Sequence, residues 1–293
     1  MTRHLTDFFK LIRWKNVLIY WFTIGLLYKF YILNNNPNLI YIKTSDNKVF
    51  FLLVLFFSLL GIAGNLQNNY FDYNLDRLKK NFINFNKKYI RLAYSILYSF
   101  AIIIFFIIIS YFSVNNFSTN TFAYLLPISI LLMIAYNIFF KKIAFIGNLI
   151  VALLTSLSVT LPIFVIKQTN KPQLFTFLFI MITITTLLRE LVKDMEDKEF
   201  DKTFNYRTLP IVNRSLSYVF ISIYFLLFIF VLFYYKIEFK KHFFTGFFVL
   251  IILIFSLTAI EIYRKKYEIG TRLIKLLMLA GIIFYIYGIK NFG

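Results

Sequence analysis

A run of oxygen-bearing side chains four residues apart, Asn68, Asp72 and Asp76, is the first feature of the sequence that could do chemistry. On a helix this spacing places all three in one stripe, each about 6 Å further along the axis. Two carboxylates at that spacing repel each other unless a cation lies between them. Oxygen ligands one turn apart suit Mg²⁺, which keeps several waters and completes its coordination shell with substrate phosphates. The spacing is equally compatible with a solvated helix end whose acids pair with Arg77 and Lys80.

A second acidic group lies much further along the chain, where Asp194, Asp197 and Asp201 are spaced i, i+3, i+7. These three again share one helical stripe, whereas Glu196 and Glu199 point elsewhere and are expected to be solvated. Two Mg²⁺ ions held between two such stripes and bridged by a diphosphate can ionise an allylic diphosphate. The two groups together therefore predict a facing pair of metal-binding stripes.

The elements that must position these groups are strongly apolar. Hydrophobic residues make up 60% of the chain and charged residues 15%, against about 45–50% and about 25% in a soluble domain. This composition excludes a soluble globular protein. Zero Cys and two His exclude a thiolate metal site, a Cys nucleophile and a Ser-His triad. The net charge of +19 falls between apolar spans, which favours basic cytoplasmic loops over nucleic-acid binding.

Nine segments are long and apolar enough to cross a membrane, which takes about 20 residues each. The sequence therefore predicts an all-α, polytopic membrane protein with one transmembrane domain over residues 1–293. The predicted spans are residues 14–33, 49–69, 90–112, 121–140, 143–166, 173–192, 216–235, 244–263 and 272–289.

Charge sets the expected orientation of these spans. With the N-terminus inside, 23 of the 32 Lys and Arg residues fall on the inner side, which favours an N-in, C-out topology. Eight of the 13 acids fall in two inner segments, after the second and the sixth span. We therefore expect a protein of the bacterial inner (cytoplasmic) membrane whose acidic motifs face the cytoplasm.

The two motifs, in this order and at these helix ends, resemble those of the UbiA superfamily of intramembrane prenyltransferases. The flank around the second motif is most similar to the geranylgeranylglyceryl phosphate geranylgeranyltransferase-like branch. Three further elements are similar to the family pattern: Arg13-Trp-Lys-Asn16, Tyr136 followed by Lys141-Lys142, and Arg189-Glu-x-x-Lys-Asp with Arg207-Thr-Leu-Pro.

The resemblance implies nine helices around a central cavity and Mg²⁺ as the cofactor. It implies transfer of a prenyl chain from a polyprenyl diphosphate to a hydrophobic or phosphate-bearing acceptor, in contact with membrane lipid and without nucleic acid. The expected metal ligands are Asp72, Asp76, Asp197, Asp201 and Asn68. The expected diphosphate-binding residues are Lys193, Lys141, Lys142, Arg207, Asp194, Arg13, Asn16 and Tyr136.

Several functions remain open at this point. The acceptor is expected to be a glycerol-phosphate lipid, with aromatic-ring prenylation in quinone biosynthesis, on hydroxybenzoate or dihydroxynaphthoate, as the alternative. An ion or phosphate transporter is a remote alternative, because transporters place ionisable groups near the middle of broken helices. A purely structural membrane protein would leave the two aligned stripes unexplained. One departure concerns the acceptor: residues 79–84 have neither the Pro nor the Arg that the family usually carries there.

Overall fold

The computed structural model describes residues 2–33, 44–77, 83–114, 120–166, 172–204, 206–235 and 241–288. Within these ranges the chain is helical and has no strand, apart from one isolated bridge between Ile143 and Arg207. The helices are α1 (Thr2–Leu11), α2 (Trp14–Leu33), α3 (Thr44–Phe71), α4 (Tyr73–Asp76), α5 (Lys87–Val114), α6 (Asn120–Ile138), α7 (Ile146–Ile166), α8 (Pro172–Thr203), α9 (Leu209–Val212), α10 (Arg214–Tyr234), α11 (Lys241–Tyr263) and α12 (Tyr267–Gly288).

The all-α membrane fold is confirmed. Nine helices in the described ranges have 19 to 32 residues and correspond one by one to the nine predicted spans. Seven of them are long and apolar enough to cross a membrane, and α6 contributes a shorter apolar stretch, Phe122–Ile138. The end of the ninth predicted span, at Ile289, lies outside the described residues, as do residues 78–82 of the divergent loop.

The described helices form two compact units, between which α7 is divided. The first unit contains α1, residues 14–31 of α2, helices α3 to α6 and residues 161–166 of α7. Here α3 packs against α5 and α6, and Gly64 is the glycine that lies closest to α6. A Cβ atom at Gly64 would lie 2.4 Å from Sδ of Met133, so any larger residue would require that methionine side chain to move, whereas Gly61 faces open space.

The second unit contains residues 146–160 of α7 and helices α8 to α12. Helix α8 is its longest element and packs against both α10 and α12. We expected the sixth span to end near Val192 and an inner segment to follow. Instead α8 continues to Thr203, because nothing in the acidic segment breaks a helix and mixed charges at helical spacing stabilise one.

Candidate active site

The first stripe lies at the end of α3, where helical hydrogen bonding continues into α4. The N–H of Asp72 donates to the carbonyl of Asn68 at 2.8 Å, and the N–H of Asp76 donates to the carbonyl of Asp72 at 2.8 Å. A turn at Asp72 separates the two helices without interrupting these bonds. The backbone therefore carries all three residues at helical spacing.

Lys141 brings a cation to this stripe from the turn after α6. Its Nζ donates to the amide oxygen of Asn68 at 2.8 Å and also to the carboxylate of Asp72. The side chains of Lys141 and Asp72 are 20% and 8% exposed, so water screens this ion pair less than one on the surface. An amide oxygen and a carboxylate oxygen thus converge on a single positive charge.

A buried polar network ties the helices that carry these residues. Asn137, one turn before Lys141, donates from Nδ2 to Oε1 of Gln67 at 3.1 Å. The hydroxyl of Tyr98 donates to the same oxygen at 2.6 Å. This network was not predicted from the sequence. The sequence did carry a signal for it: Gln67 and Asn137 are amide side chains inside two apolar spans. Such polar groups need hydrogen-bond partners inside a membrane.

The second stripe lies on the continuous helix α8. Asp194, Asp197 and Asp201 are half-buried, whereas Glu196 and Glu199 are exposed. The spacing predicts that the three aspartates share one face and that the two glutamates are solvated, and the exposure of these side chains agrees with it.

Helix α7 supplies a partner for the deepest aspartate of this stripe. Nδ2 of Asn148 donates to Oδ2 of Asp194 at 2.8 Å. One turn earlier on α8, Glu190 is buried and pairs with Arg189. Neither Asn148 nor Glu190 had a role in the sequence prediction, although Glu190 is spaced four residues from Asp194 and belongs to the same face.

Lys142 lies beside the segment that follows the second stripe. Its carbonyl accepts from the N–H of Arg207 at 2.9 Å, and its Nζ lies 5.6 Å from the ring centroid of Tyr206. The N–H of Tyr206 in turn donates to the carbonyl of Asp201 at 3.0 Å. Lys142 and Arg207 are thus brought to the end of α8 by backbone contacts.

Other predicted residues lie further from these contacts. Arg13 has a φ of 53° in the turn between α1 and α2, and both Arg13 and Asn16 are exposed. Tyr136 is half-buried on α6 next to Asn137, and Lys193 is half-buried on α8.

The residues of the first stripe fit a hard divalent cation. The positive charge of Lys141 already occupies the point where oxygens of Asn68 and Asp72 meet. Asn68 and Asp72 offer one amide oxygen and one carboxylate, and Mg²⁺ takes one or two carboxylates and fills its shell with water and substrate phosphate.

Comparison with known proteins decides the family. The model of the UbiA prenyltransferase family matches residues 39–285, which is most of the chain. The chain belongs to the UbiA prenyltransferase family. The resemblance seen in the sequence is thereby confirmed.

Named relatives point to one branch of the UbiA family. The digeranylgeranylglyceryl phosphate synthase of Methanosphaera stadtmanae is 29% identical over 161 residues, 55% of this chain. The matched region spans only 56% of that relative's length. The named relatives are archaeal, and they lend no support to the expected bacterial origin.

Solved structures share the UbiA fold over nearly the whole chain. A structure described as digeranylgeranylglyceryl phosphate synthase in membranes has a TM-score of 0.67 at 22% identity, over 96% of this chain and 97% of the other. A UbiA homologue from Archaeoglobus fulgidus, bound to DMAPP and Mg²⁺, has a TM-score of 0.56 at 12% identity, over 95% and 99% of the two chains. At these identities the likeness concerns the fold.

Proposed function

We propose that this chain is an Mg²⁺-dependent prenyltransferase that moves a prenyl chain from a polyprenyl diphosphate to a glycerol-phosphate lipid. Residues 1–293 would form a single transmembrane prenyltransferase domain. The observation that carries the proposal is the convergence of Asn68 and Asp72 on the cation of Lys141, in a chain of the UbiA family. A site of this kind suits the Mg²⁺ complex of a diphosphate.

Carboxylates on the two stripes would hold the metal. Asp72 and Asp76, assisted by the amide oxygen of Asn68, would serve on the first stripe, and Asp197 and Asp201 on the second. When bound, Mg²⁺ neutralises the negative charge that develops on the leaving diphosphate. These four aspartates and one asparagine amide supply hard oxygen atoms, which suit Mg²⁺ better than they suit softer metals.

Cationic side chains would bind the diphosphate directly. Lys141 is the best placed, because its Nζ already lies among the oxygens of the first stripe. Lys142 and Arg207 are assigned the same role at the end of α8, together with Lys193. The exposed positions of Arg13 and Asn16 suit contact with the distal phosphate, while Asp194 and Tyr136 would orient the group.

The apolar helices would control what happens after the carbon–oxygen bond breaks. Departure of the diphosphate leaves an allylic carbocation, which water captures quickly unless it is excluded. The long apolar spans provide a water-poor surrounding. The prenyl tail would lie among these spans, open to membrane lipid.

A glycerol-phosphate lipid is the acceptor that the comparisons favour. The named relatives are digeranylgeranylglyceryl phosphate synthases, whereas no observation on this chain favours an aromatic ring or an ion as substrate. The basic asymmetry of the sequence supports a cytoplasmic location for both motifs.

The proposal is tested by product mass. The purified chain is incubated with a panel of labelled polyprenyl diphosphates and with glycerol-phosphate or aromatic acceptors. A prenylated glycerol-phosphate product that requires Mg²⁺ is expected. A prenylated aromatic product alone, or consumption of no prenyl diphosphate, would contradict the proposal.

A further inference from the structure

Helix α8 stays polar on one face well beyond the second stripe. Thr183, Thr186 and Glu190 precede Asp194 at spacings of three, four and four residues, which keeps them on the face that carries the aspartates. Each step of four residues is about 6 Å along the helix axis. The face therefore continues from the aspartates into the apolar part of the span.

Glu190 is a carboxylate that the proposed metal chemistry does not use. It is 6% exposed and lies within a helix that is apolar enough to cross a membrane. Its side chain pairs with that of its neighbour Arg189. An ionisable group in such a position is unfavourable and is usually retained for function.

Thr186, one turn further in, supplies an independent observation. It is 2% exposed, and its hydroxyl has no hydrogen-bond partner among the described residues. Its neighbours behave differently: the hydroxyl of Thr183 donates to the carbonyl of Phe179 at 2.8 Å, and that of Thr185 to the carbonyl of Met181 at 2.8 Å. A buried hydroxyl that is left unpaired is unfavourable, so Thr186 is free to bind a polar ligand group.

We propose that Thr186 and Glu190 bind the acceptor's reacting hydroxyl group and that Glu190 accepts its proton. The inference rests on the proposed function and names the subsite for the second substrate. The hydroxyl of Thr186 donates to the acceptor oxygen, and the acceptor O–H donates to the carboxylate of Glu190. One donor and one acceptor, one helical turn apart, are the two groups that an alcohol between them requires.

The reaction balances with these residues. The bond between C1 of the prenyl chain and the diphosphate oxygen breaks, and its electron pair leaves with the diphosphate. A lone pair of the acceptor oxygen forms the new bond to C1, while the hydroxyl proton passes to the carboxylate of Glu190. The carboxylic acid returns this proton to water after the ether product leaves. An aliphatic alcohol is a weak nucleophile, so a positioned base contributes about 10²- to 10⁴-fold to the rate.

Two variants of the full-length chain test the inference in single-turnover reactions with a labelled polyprenyl diphosphate and a glycerol-phosphate lipid that has one free hydroxyl. The ether product and the prenyl alcohol formed by water capture are measured together. Glu190→Gln is expected to lower the rate of ether formation by about 10²- to 10⁴-fold. The rate of diphosphate release should fall less than the rate of ether formation, so prenyl alcohol should make up a larger fraction of the products. Thr186→Val is expected to raise KM for the acceptor by about 5- to 10-fold without changing the affinity for the prenyl diphosphate.

Matched controls separate this role from a structural one. Thr185→Val removes a hydroxyl that bonds its own helix, and Glu199→Gln removes an exposed acid from the same helix. Both variants are expected to give the wild-type ratio of ether product to prenyl alcohol. If Thr186→Val leaves the KM for the acceptor unchanged, the inference is overturned, even where Glu190→Gln fails to fold. If a folded Glu190→Gln leaves the ratio of ether to prenyl alcohol unchanged, the inference is overturned as well. A wild type that consumes no prenyl diphosphate overturns the proposed function as well.

Discussion

The ammonium group of Lys141 lies 2.8 Å from the amide oxygen of Asn68 and also donates to the carboxylate of Asp72. The lysine therefore compensates a carboxylate that is largely shielded from water. The same oxygens are the proposed ligands of Mg²⁺. A bound metal would stabilise the same carboxylate as Lys141 does, so removal of the lysine should increase the benefit of metal binding.

Lys141→Met is expected to destabilise the metal-free protein by about 1–3 kcal/mol, because a shielded carboxylate loses its hydrogen-bonded partner. Added Mg²⁺ should recover part of this loss, so the rise in Tm on adding Mg²⁺ should be larger in the variant than in the wild type. Thermal unfolding in detergent with and without Mg²⁺ measures both effects.

Lys142→Met is the matched control, since Lys142 lies against the ring of Tyr206 rather than against a carboxylate. Its response to Mg²⁺ should equal that of the wild type. Equal Mg²⁺-induced shifts in all three proteins would show that Lys141 does not compensate Asp72 in solution.

Metal removal should abolish prenyl transfer, because oxygen ligands without His or Cys hold Mg²⁺ weakly enough for a chelator to withdraw it. Excess EDTA is expected to stop product formation, and Mg²⁺ or Mn²⁺ in excess of the chelator should restore it. Zn²⁺ should restore less. Full activity in EDTA would contradict the metal assignment.

Single cysteines test the orientation of the membrane spans, because the natural chain has none. Ser215 and His242 are both exposed; Ser215 lies in the first turn of α10, and His242 lies in the first turn of the next helix, α11. With the N-terminus inside, a membrane-impermeant thiol reagent should label Ser215→Cys only from the cytoplasmic side and His242→Cys only from the opposite side. The reverse pattern would invert the proposed topology.

The helical architecture could be predicted from the sequence because hydropathy alone determines which segments can cross a membrane. Hydropathy alone does not give the end of α8, although the helical spacing of the aspartates extends the helix past Val192. A hydropathy window stops where charges begin, near Val192, whereas the backbone hydrogen bonds of the helix continue to Thr203.

The two stripes could also be predicted, because helical spacing is visible in one dimension. The partners of those stripes could not. Asn148 contacts Asp194 from a different helix, and the free hydroxyl of Thr186 is apparent only when its neighbours' hydrogen bonds are known. Such contacts depend on the packing of two helices, which one sequence does not specify.

In the proposed reaction, aspartates of both stripes would hold the metal that promotes departure of the diphosphate. The most direct measurement is the single-turnover rate of prenyl transfer by Asp72→Asn and Asp197→Asn, with Glu199→Gln as the control. Each Asp→Asn change keeps the size of the side chain and removes one charge, and the loss of one electrostatic stabiliser should lower the rate by about 10²- to 10³-fold. Exposed Glu199 lies off the stripe, so Glu199→Gln should transfer at nearly the wild-type rate. Near-wild-type transfer by the two aspartate variants would contradict the assignment of these aspartates as metal ligands.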